Sequence, residues 1–217
     1  MEKFAVYTTI FGERDDLREP LCDNVEYIVF TDRPIESERA RIIRMTSPYK
    51  DPARGSRFVR CHPHKFLAEY DVTLWLDASF VLKSVDGLLD YLGQHDLAIS
   101  KHFSRDCIYE EAKVASRLGR DRPEIIETQM ERYKKEGYPA ANGLVATGAI
   151  LRRNSEPVRR FNELWSNEIE QGSRHCQLSF NYVLWKLGLE IRLFEWPDLR
   201  KTRFWTCTDH SGAEPPP

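Results

Sequence analysis

The chain has 217 residues, 41% hydrophobic and 12% aromatic with five tryptophans, against 30% charged. That is enough apolar material for one domain with a sizeable core, and it argues against disorder. Its 32 basic and 34 acidic residues leave a formal charge of −2, which gives no electrostatic footprint for a polyanion or an anionic membrane. No stretch approaches the roughly 20 apolar residues that span a bilayer. Met1-Glu2-Lys3-Phe4 runs into a strand-like segment without a leader or cleavage signature. Cys22, Cys61, Cys107, Cys176 and Cys207 are scattered, without Cys-x-x-Cys spacing, and read as reduced thiols in a cytoplasmic setting.

Short β-branched and aromatic runs closed by polar or turn residues predict strands at Phe4 to Ile10, Tyr27 to Thr31, Ala40 to Met45, Val72 to Leu76, Leu97 to Ser100, Leu144 to Leu151 and Leu189 to Phe194. Helical spacing falls between them. Pro63 starts a short helix carrying Lys65. Ser104 caps a helix with Ile108, Ala112, Ala115 and Leu118 on one face and Gly119 as its stop. Another starts near Pro123, keeps Ile126, Met130 and Tyr133 together and ends at Gly137. Ser155 precedes Val158, Phe161, Trp165 and Ile169, and a last helix carries Leu178, Tyr182 and Trp185 up to Gly188. The alternation predicts a single α/β, Rossmann-like domain over residues 1–210, with a mostly parallel central sheet and helices on both faces. Ser211 to Pro217, with a glycine and three prolines, reads as a flexible tail.

In such sheets ligands bind at the carboxyl ends of strands, so polar residues that directly follow an apolar run matter most. Thr8-Thr9, Thr31-Asp32-Arg33 and Asp77-Ala78-Ser79 are three such places. Val72-Thr73-Leu74-Trp75-Leu76 is apolar enough for a central strand. An ionised Asp77 at its tip must be exposed, hydrogen-bonded or metal-bound. It could hold a divalent cation, Mn²⁺ or Mg²⁺, that bridges two phosphates, with Ser79 as a second oxygen ligand; the plainer reading is an Asp that caps a turn with Ser79. Cys61-His62-Pro63-His64 lacks the second Cys/His pair that a zinc finger needs. His102 ends a strand with Arg105, Glu110 and Glu111 close behind. Gln177 opens a helix, where it can orient a hydroxyl or phosphate. Trp75, Trp165, Trp185 and Trp196 read as core, and Trp205 as a lid.

Lys65 through Ser79 resembles the nucleotide-and-metal segment of GT-A glycosyltransferases, in which a Lys-bearing helix leads into a strand ending Asp-x-Asp. With Thr9 to Pro20, Tyr27 to Asp32, Cys61 to Lys65, His102 to Ala112, Thr147 to Arg153, Phe161 to Trp165 and Arg174 to Phe180, the chain resembles a glycosyltransferase-like domain family. That family is shared by bacterial surface-polysaccharide proteins and plant mucilage and pollen-turgor proteins. The resemblance implies transfer of a sugar from a nucleotide-diphosphate sugar to a glycan or other hydroxyl acceptor. It gives Thr8 and Thr9 to the nucleoside, Asp32 to base or ribose, Arg57 and Lys65 to the diphosphate, and Asp77 and Ser79 to the metal or sugar-phosphate junction. Arg105 and Gln177 join the donor-side polar groups, and His210 stands where some GT-A enzymes place a late metal ligand.

Two departures bear on this assignment. Ser79 replaces the second acid of Asp-x-Asp, which leaves metal use open. Cys176 stands where the family tends to show an acid in Arg-Asp-Gln-Leu-Ser, so the acceptor-side base must be sought among Glu111, His102, His175 and Asp106. These departures keep a non-catalytic nucleotide-sugar or glycan-binding module in view as the rival. A hydrolase of a lipid amide is the weaker alternative, since the chain has no Gly-x-Ser-x-Gly elbow.

Overall fold

A computed structural model describes residues 2–13, 15–194 and 201–208. In chain order these form β1 (Phe4–Ile10), β2 (Glu26–Thr31), β3 (Ala40–Arg44), α1 (Pro52–Cys61), α2 (Pro63–Phe66), β4 (Val72–Leu76), β5 (Phe80–Leu82), β6 (Leu97–Lys101), α3 (Ile108–Arg117), α4 (Pro123–Lys135), β7 (Val145–Arg153), α5 (Glu156–Gln171), α6 (Gln177–Leu187), β8 (Arg192–Phe194) and β9 (Trp205–Cys207). Seven strands make one sheet in the order β3-β2-β1-β4-β7-β6-β8, and β5 pairs with β9 in a separate ribbon.

Within the sheet β1, β2, β3 and β4 are mutually parallel, and β6 is parallel to β8. β7 lies antiparallel to both β4 and β6, so it alone among the described sheet strands is reversed. The mostly parallel sheet expected from the alternation is therefore present. Its consequence is positional: the chain leaving β1, β2, β4 and β6 and the chain entering β7 all meet at one edge. That edge gathers Asp32, Asp77, His102 and Thr147.

The α-helices cover the sheet unevenly rather than on both faces alike. Tyr7, Ile28, Phe30, Trp75, Ile99 and Ile150 pack in one core with helix residues that include Val59, Ala112, Tyr133, Phe161, Trp165 and Phe180. On the opposite face Val6, Val29, Leu74, Leu76 and Leu151 meet Phe80, Leu82, Leu88, Leu92, Phe204 and Trp205, contributed by the β5/β9 ribbon and the loops around a 3-10 turn at Leu89–Tyr91. The ribbon is short and directly follows the Asp77 turn, so periodicity gives no warning of it. Trp205 is fully buried in this second core and is a packing residue rather than a lid. Trp196, Asp209, His210 and the Ser211 to Pro217 tail lie outside the described residues.

Helix α1 buries Gly55, Val59, Arg60 and Cys61, and it is well started. Pro52 occupies its first turn, and the Asp51 carboxylate caps it by accepting from the Ala53 amide at 2.9 Å. Arg54 fastens it to α5 by donating to the Ile169 carbonyl at 2.6 Å and the Gly172 carbonyl at 3.0 Å. Gly55 lets α1 close on the preceding loop, because a Cβ there would lie 2.1 Å from Ser47 Oγ and 3.2 Å from the Phe11 ring. Helix α3 starts at Ile108 instead of after Ser104 because His102 Nδ1 accepts from the Ser104 and Arg105 amides at 3.3 and 3.1 Å. Those two donors are held in a turn before the helix begins.

Gly55→Ala tests the close approach. It should cost about 1–3 kcal/mol, the usual range for overpacking a filled site, read as a lower urea midpoint with an unchanged slope.

Candidate active site

Asp77 sits at the tip of β4, its side chain 35% exposed and that of Arg60 only 2% exposed. The Arg60 Nη2 group donates to Asp77 Oδ1, and the same oxygen accepts from Trp75 Nε1 at 2.9 Å. The Arg60 guanidinium lies over the Trp75 ring at 4.4 Å, and its Nη1 reaches Cys176 Sγ at 3.2 Å and Thr147 Oγ1 at 3.4 Å. Burial acts to lower the Arg60 pKa, and the Asp77 carboxylate together with Cys176, Cys61 and Tyr7 outweighs it, so Arg60 stays firmly charged. One turn earlier on the same helix, Arg57 feels burial first and then the Arg60 charge, and both pull it below the ordinary arginine range. Its Nε is buried without an acceptor. Among the described residues Arg57 finds no carboxylate at ion-pair distance. Two guanidiniums thus share one carboxylate, and Arg57 is the one left over.

Of the residues expected at the donor side, some converge and some do not. Asp32 ties the end of β2 to that of β1 by accepting from the Gly12 amide at 3.1 Å. Thr8 and Thr9 point to opposite faces, as strand alternation demands. Thr9 Oγ1 lies 2.6 Å from Ser56 Oγ of α1, whereas the buried Thr8 hydroxyl has no partner. Ser79 is buried, and its carbonyl accepts from the Thr208 amide at 2.9 Å. Gln177 is the first residue of α6, and its Nε2 is buried without an acceptor. Lys65 is not brought to Asp77. Its ammonium lies 2.7 Å from Glu163 of α5, where His64 Nε2 also arrives at 2.8 Å and His62 Nε2 at 3.5 Å. Arg60, from the preceding helix, occupies the place expected of Lys65.

A second cluster lies at the end of β6. Glu111 is 5% exposed, with Oε2 accepting from Arg105 Nε at 2.6 Å and Oε1 2.7 Å from His175 Nε2. Burial alone would raise the Glu111 pKa, but the His175 and Arg105 bonds and charges outweigh it and hold the carboxyl low. Glu111 is therefore an anion whose two oxygens are both committed. The two amides on His102 Nδ1 make that nitrogen an acceptor, so a neutral His102 carries its proton on Nε2, and burial favours the neutral ring. His175 differs. In its neutral form His175 keeps its proton on Nε2, toward Glu111, and Nδ1 is then the lone-pair nitrogen. This pairing joins residues 64 apart in sequence, a separation at which local pattern is silent. His175 also adjoins Cys176, so the Glu111 cluster and the Arg60–Asp77 pair are neighbours.

The expected metal ligands Asp77 and Ser79 stand side by side at the strand end, and His210 lies outside the described residues. Asp77 offers a single uncommitted oxygen, Oδ2, with Ser79 as its neutral neighbour. No three His, Cys, Asp or Glu side chains converge as a cage among the described residues. That holds for the Cys61 to His64 segment as well. Two open concavities lie to either side of the strand-end cluster: one of about 450 Å³ bordered by Asp51, Arg54, Asp121 and Arg174, and one of about 570 Å³ between the β6–β7 edge and the end of α6. No helix among the described residues is long and apolar enough to cross a membrane.

One sheet edge thus gathers a strand-end acid, a surplus guanidinium and a carboxylate-held histidine. The chain belongs to the TOD1/MUCI70 glycosyltransferase-like domain family, whose model matches residues 1–210. It is 25% identical over 217 residues to a probable hexosyltransferase, MUCI70 of Arabidopsis thaliana, with 85% of this chain aligned. It spans 37% of the length of that relative. Among solved structures, it overlays the apo form of the bifunctional glycosyltransferase WbbM over 90% of this chain and 39% of that one, at 10% identity and a TM-score of 0.49.

Two outcomes test the electrostatics. Asp77→Ala strands the buried Arg60 charge and should cost about 3 kcal/mol, at the low end for a broken buried pair because Asp77 is partly exposed; Asp77→Asn keeps the oxygen and should cost less. Burial pushes Glu163 up, but Lys65, His64 and His62 more than offset it and hold its carboxyl at about 2 against the ordinary 4.5. A depressed carboxylate stabilises the fold above its unfolded pKa and ceases to do so as the pH falls through the folded value. Glu163→Gln should therefore flatten the loss of urea stability in the window from about pH 4.5 down to about 2.

Proposed function

We propose that this chain is a GT-A-type glycosyltransferase domain that moves a sugar from a nucleotide-diphosphate sugar to an acceptor hydroxyl. The observation that carries the reading is Arg57: a largely desolvated guanidinium without an ion-pair partner, next to a strand-end acid already neutralised by Arg60. A group so placed is completed by an anion, and a diphosphate is the anion that sugar transfer must hold as it departs. The nucleoside would lie along the β1 and β2 ends, near the Thr8 hydroxyl and Asp32. In this reading Arg57 supplies the charge that Mn²⁺ or Mg²⁺ supplies elsewhere, and Asp77 turns Oδ2 to the donor sugar beside Ser79.

The acceptor-side base is His175, oriented by Glu111 as a carboxylate orients the imidazole in other base pairs of this kind. The acceptor O–H gives its proton to His175 Nδ1 as its oxygen bonds to the anomeric carbon. The bond from that carbon to the diphosphate oxygen breaks, and the electron pair leaves with the nucleotide. A single displacement of this kind inverts the anomeric centre. Arg105 fixes Glu111, and its Nη2 group also lies 3.4 Å from His102 Nε2, so it ties both side chains together. The family's glycosyltransferase-like description supports the transferase reading as a whole. The five free cysteines support a reducing, cytoplasmic setting, with surface polysaccharide or glycoconjugate synthesis as the role.

A thermal-shift panel of UDP-, GDP- and CMP-sugars, run with Mn²⁺ and with EDTA, tests the donor. One diphosphate sugar at about a hundred times its Kd should stabilise the protein by about 2.7 kcal/mol, equally in EDTA, and Arg57→Gln should abolish the shift. No shift with any donor defeats the proposal, and dependence on Mn²⁺ defeats the role given to Arg57. Release of nucleotide from that donor separates an enzyme from a binding module. His175→Asn should slow release about 10²-fold or more while leaving the donor shift intact.

A further inference from the structure

The concavity of about 570 Å³ between the β6–β7 edge and the end of α6 takes no part in the donor chemistry, and its lining is unusual. Lys101, Asn142, Asn181, Trp185, Leu189 and Leu193 all face it. Trp185 is 39% exposed, although its place on the helix predicts a core residue. Its ring is braced edge-on by Tyr138, with centroids 5.5 Å apart, so it presents a fixed aromatic surface. Asn181, one turn earlier, packs its amide nitrogen against Gly143, 3.3 Å from where a Cβ would stand. Its Oδ1 is buried and finds no donor among the described residues. A buried acceptor of this kind costs stability unless a ligand or water completes it.

We infer that this pocket is a remote subsite for a neutral glycan acceptor, a deepening that rests on the transferase reading above. A rigid aromatic face takes the C–H face of a pyranose, while the amides of Asn142 and Asn181 meet its hydroxyls, the Asn181 carbonyl gaining the donor it lacks. Lys101 and Glu190 both border the pocket, so its charge balances and it does not select an acidic sugar. Its volume lies within the roughly 300–1,000 Å³ of small-ligand sites. Helix α6 sets its distance from the chemistry. Gln177 follows His175–Cys176 directly, and Trp185 lies eight residues further along, about 12 Å at 1.5 Å per residue. That is farther than one sugar ring reaches. The pocket also adjoins the His102 cluster, since the His102 amide donates to the Leu144 carbonyl at 2.8 Å and Leu144 lines the wall. The occupant is thus an inner part of a chain whose end lies at His175, and acceptors too short to reach Trp185 do not use it.

The test titrates the whole protein with cello-, xylo- and malto-oligosaccharides from one to six units and with phosphatidylcholine vesicles, following tryptophan fluorescence and a calorimetric Kd. Longer oligosaccharides of one series should bind and the monosaccharide should not. Trp185→Ala should weaken that binding about tenfold or more, near 1.4 kcal/mol, and Asn181→Leu should weaken it as well, while Trp185→Tyr restores most of it. Absence of binding by every saccharide, binding indifferent to Trp185, or binding of vesicles alone overturns the inference. The nucleotide-sugar thermal shift is measured on the same samples. A normal donor shift with no saccharide binding removes the subsite and leaves the transferase reading standing. Trp185-dependent saccharide binding without any donor shift removes the transferase reading and keeps a glycan site.

Discussion

One buried guanidinium holds the candidate site together. Arg60 pairs with Asp77, lies over the indole of Trp75 and against Cys176 and Thr147, while its backbone carbonyl accepts from Tyr7 at 2.9 Å and from Arg152 at 2.8 Å. Helix α1, strands β1, β4 and β7 and the start of α6 therefore meet on a single residue. An acid at the end of a fully apolar strand is unfavourable unless it is paired, and Arg60 provides the pairing. That leaves one carboxylate oxygen toward the mouth.

The same contact gives a physical meaning to Cys176. An acid at that position would compete with Asp77 for Arg60 and add negative charge beneath an anionic donor. A thiol accepts the Arg60 Nη1 group without that competition, and the neighbouring His175, whose partner Glu111 comes from α3, is the group to which the proposed acid–base role falls. His175, in the loop before α6, and Arg60, on α1, then lie on separate elements that meet through the Cys176 junction.

Much of the sheet was legible because each strand is a compact β-branched or aromatic run ended by a polar residue, and Asp77 stood out for the same reason. The reading failed where the governing contact is distant or the element is short. Helix α1 has Gly55 and Ser56 in its middle and the arginines Arg54, Arg57 and Arg60, so helical spacing is hard to read there; the Asp51-Pro52 start is the signal that marks it. The resemblance gives Lys65 to the diphosphate, but its ammonium is drawn to Glu163. Thr8 and Thr9 were grouped as neighbours although alternation places them on opposite faces. Trp185 follows the helical spacing of the core residues Leu178 and Tyr182, yet it comes where α6 ends and its ring emerges. His175 and Glu111 were both named, and only the fold could join them.

The ribbon of β5 and β9 carries a consequence for how the protein is made. Ser79, two residues beyond Asp77, is held at its carbonyl by Thr208, 129 positions further along the chain, and Phe80 pairs with Cys207. On the ribosome the sheet strands through β7 can align while the Asp77 turn still lacks its anchor. A chain cut before residue 205 therefore keeps the sheet strands through β7 but loses the partners of Phe80 and of the Ser79 carbonyl, and with them the anchor of the Asp77 turn.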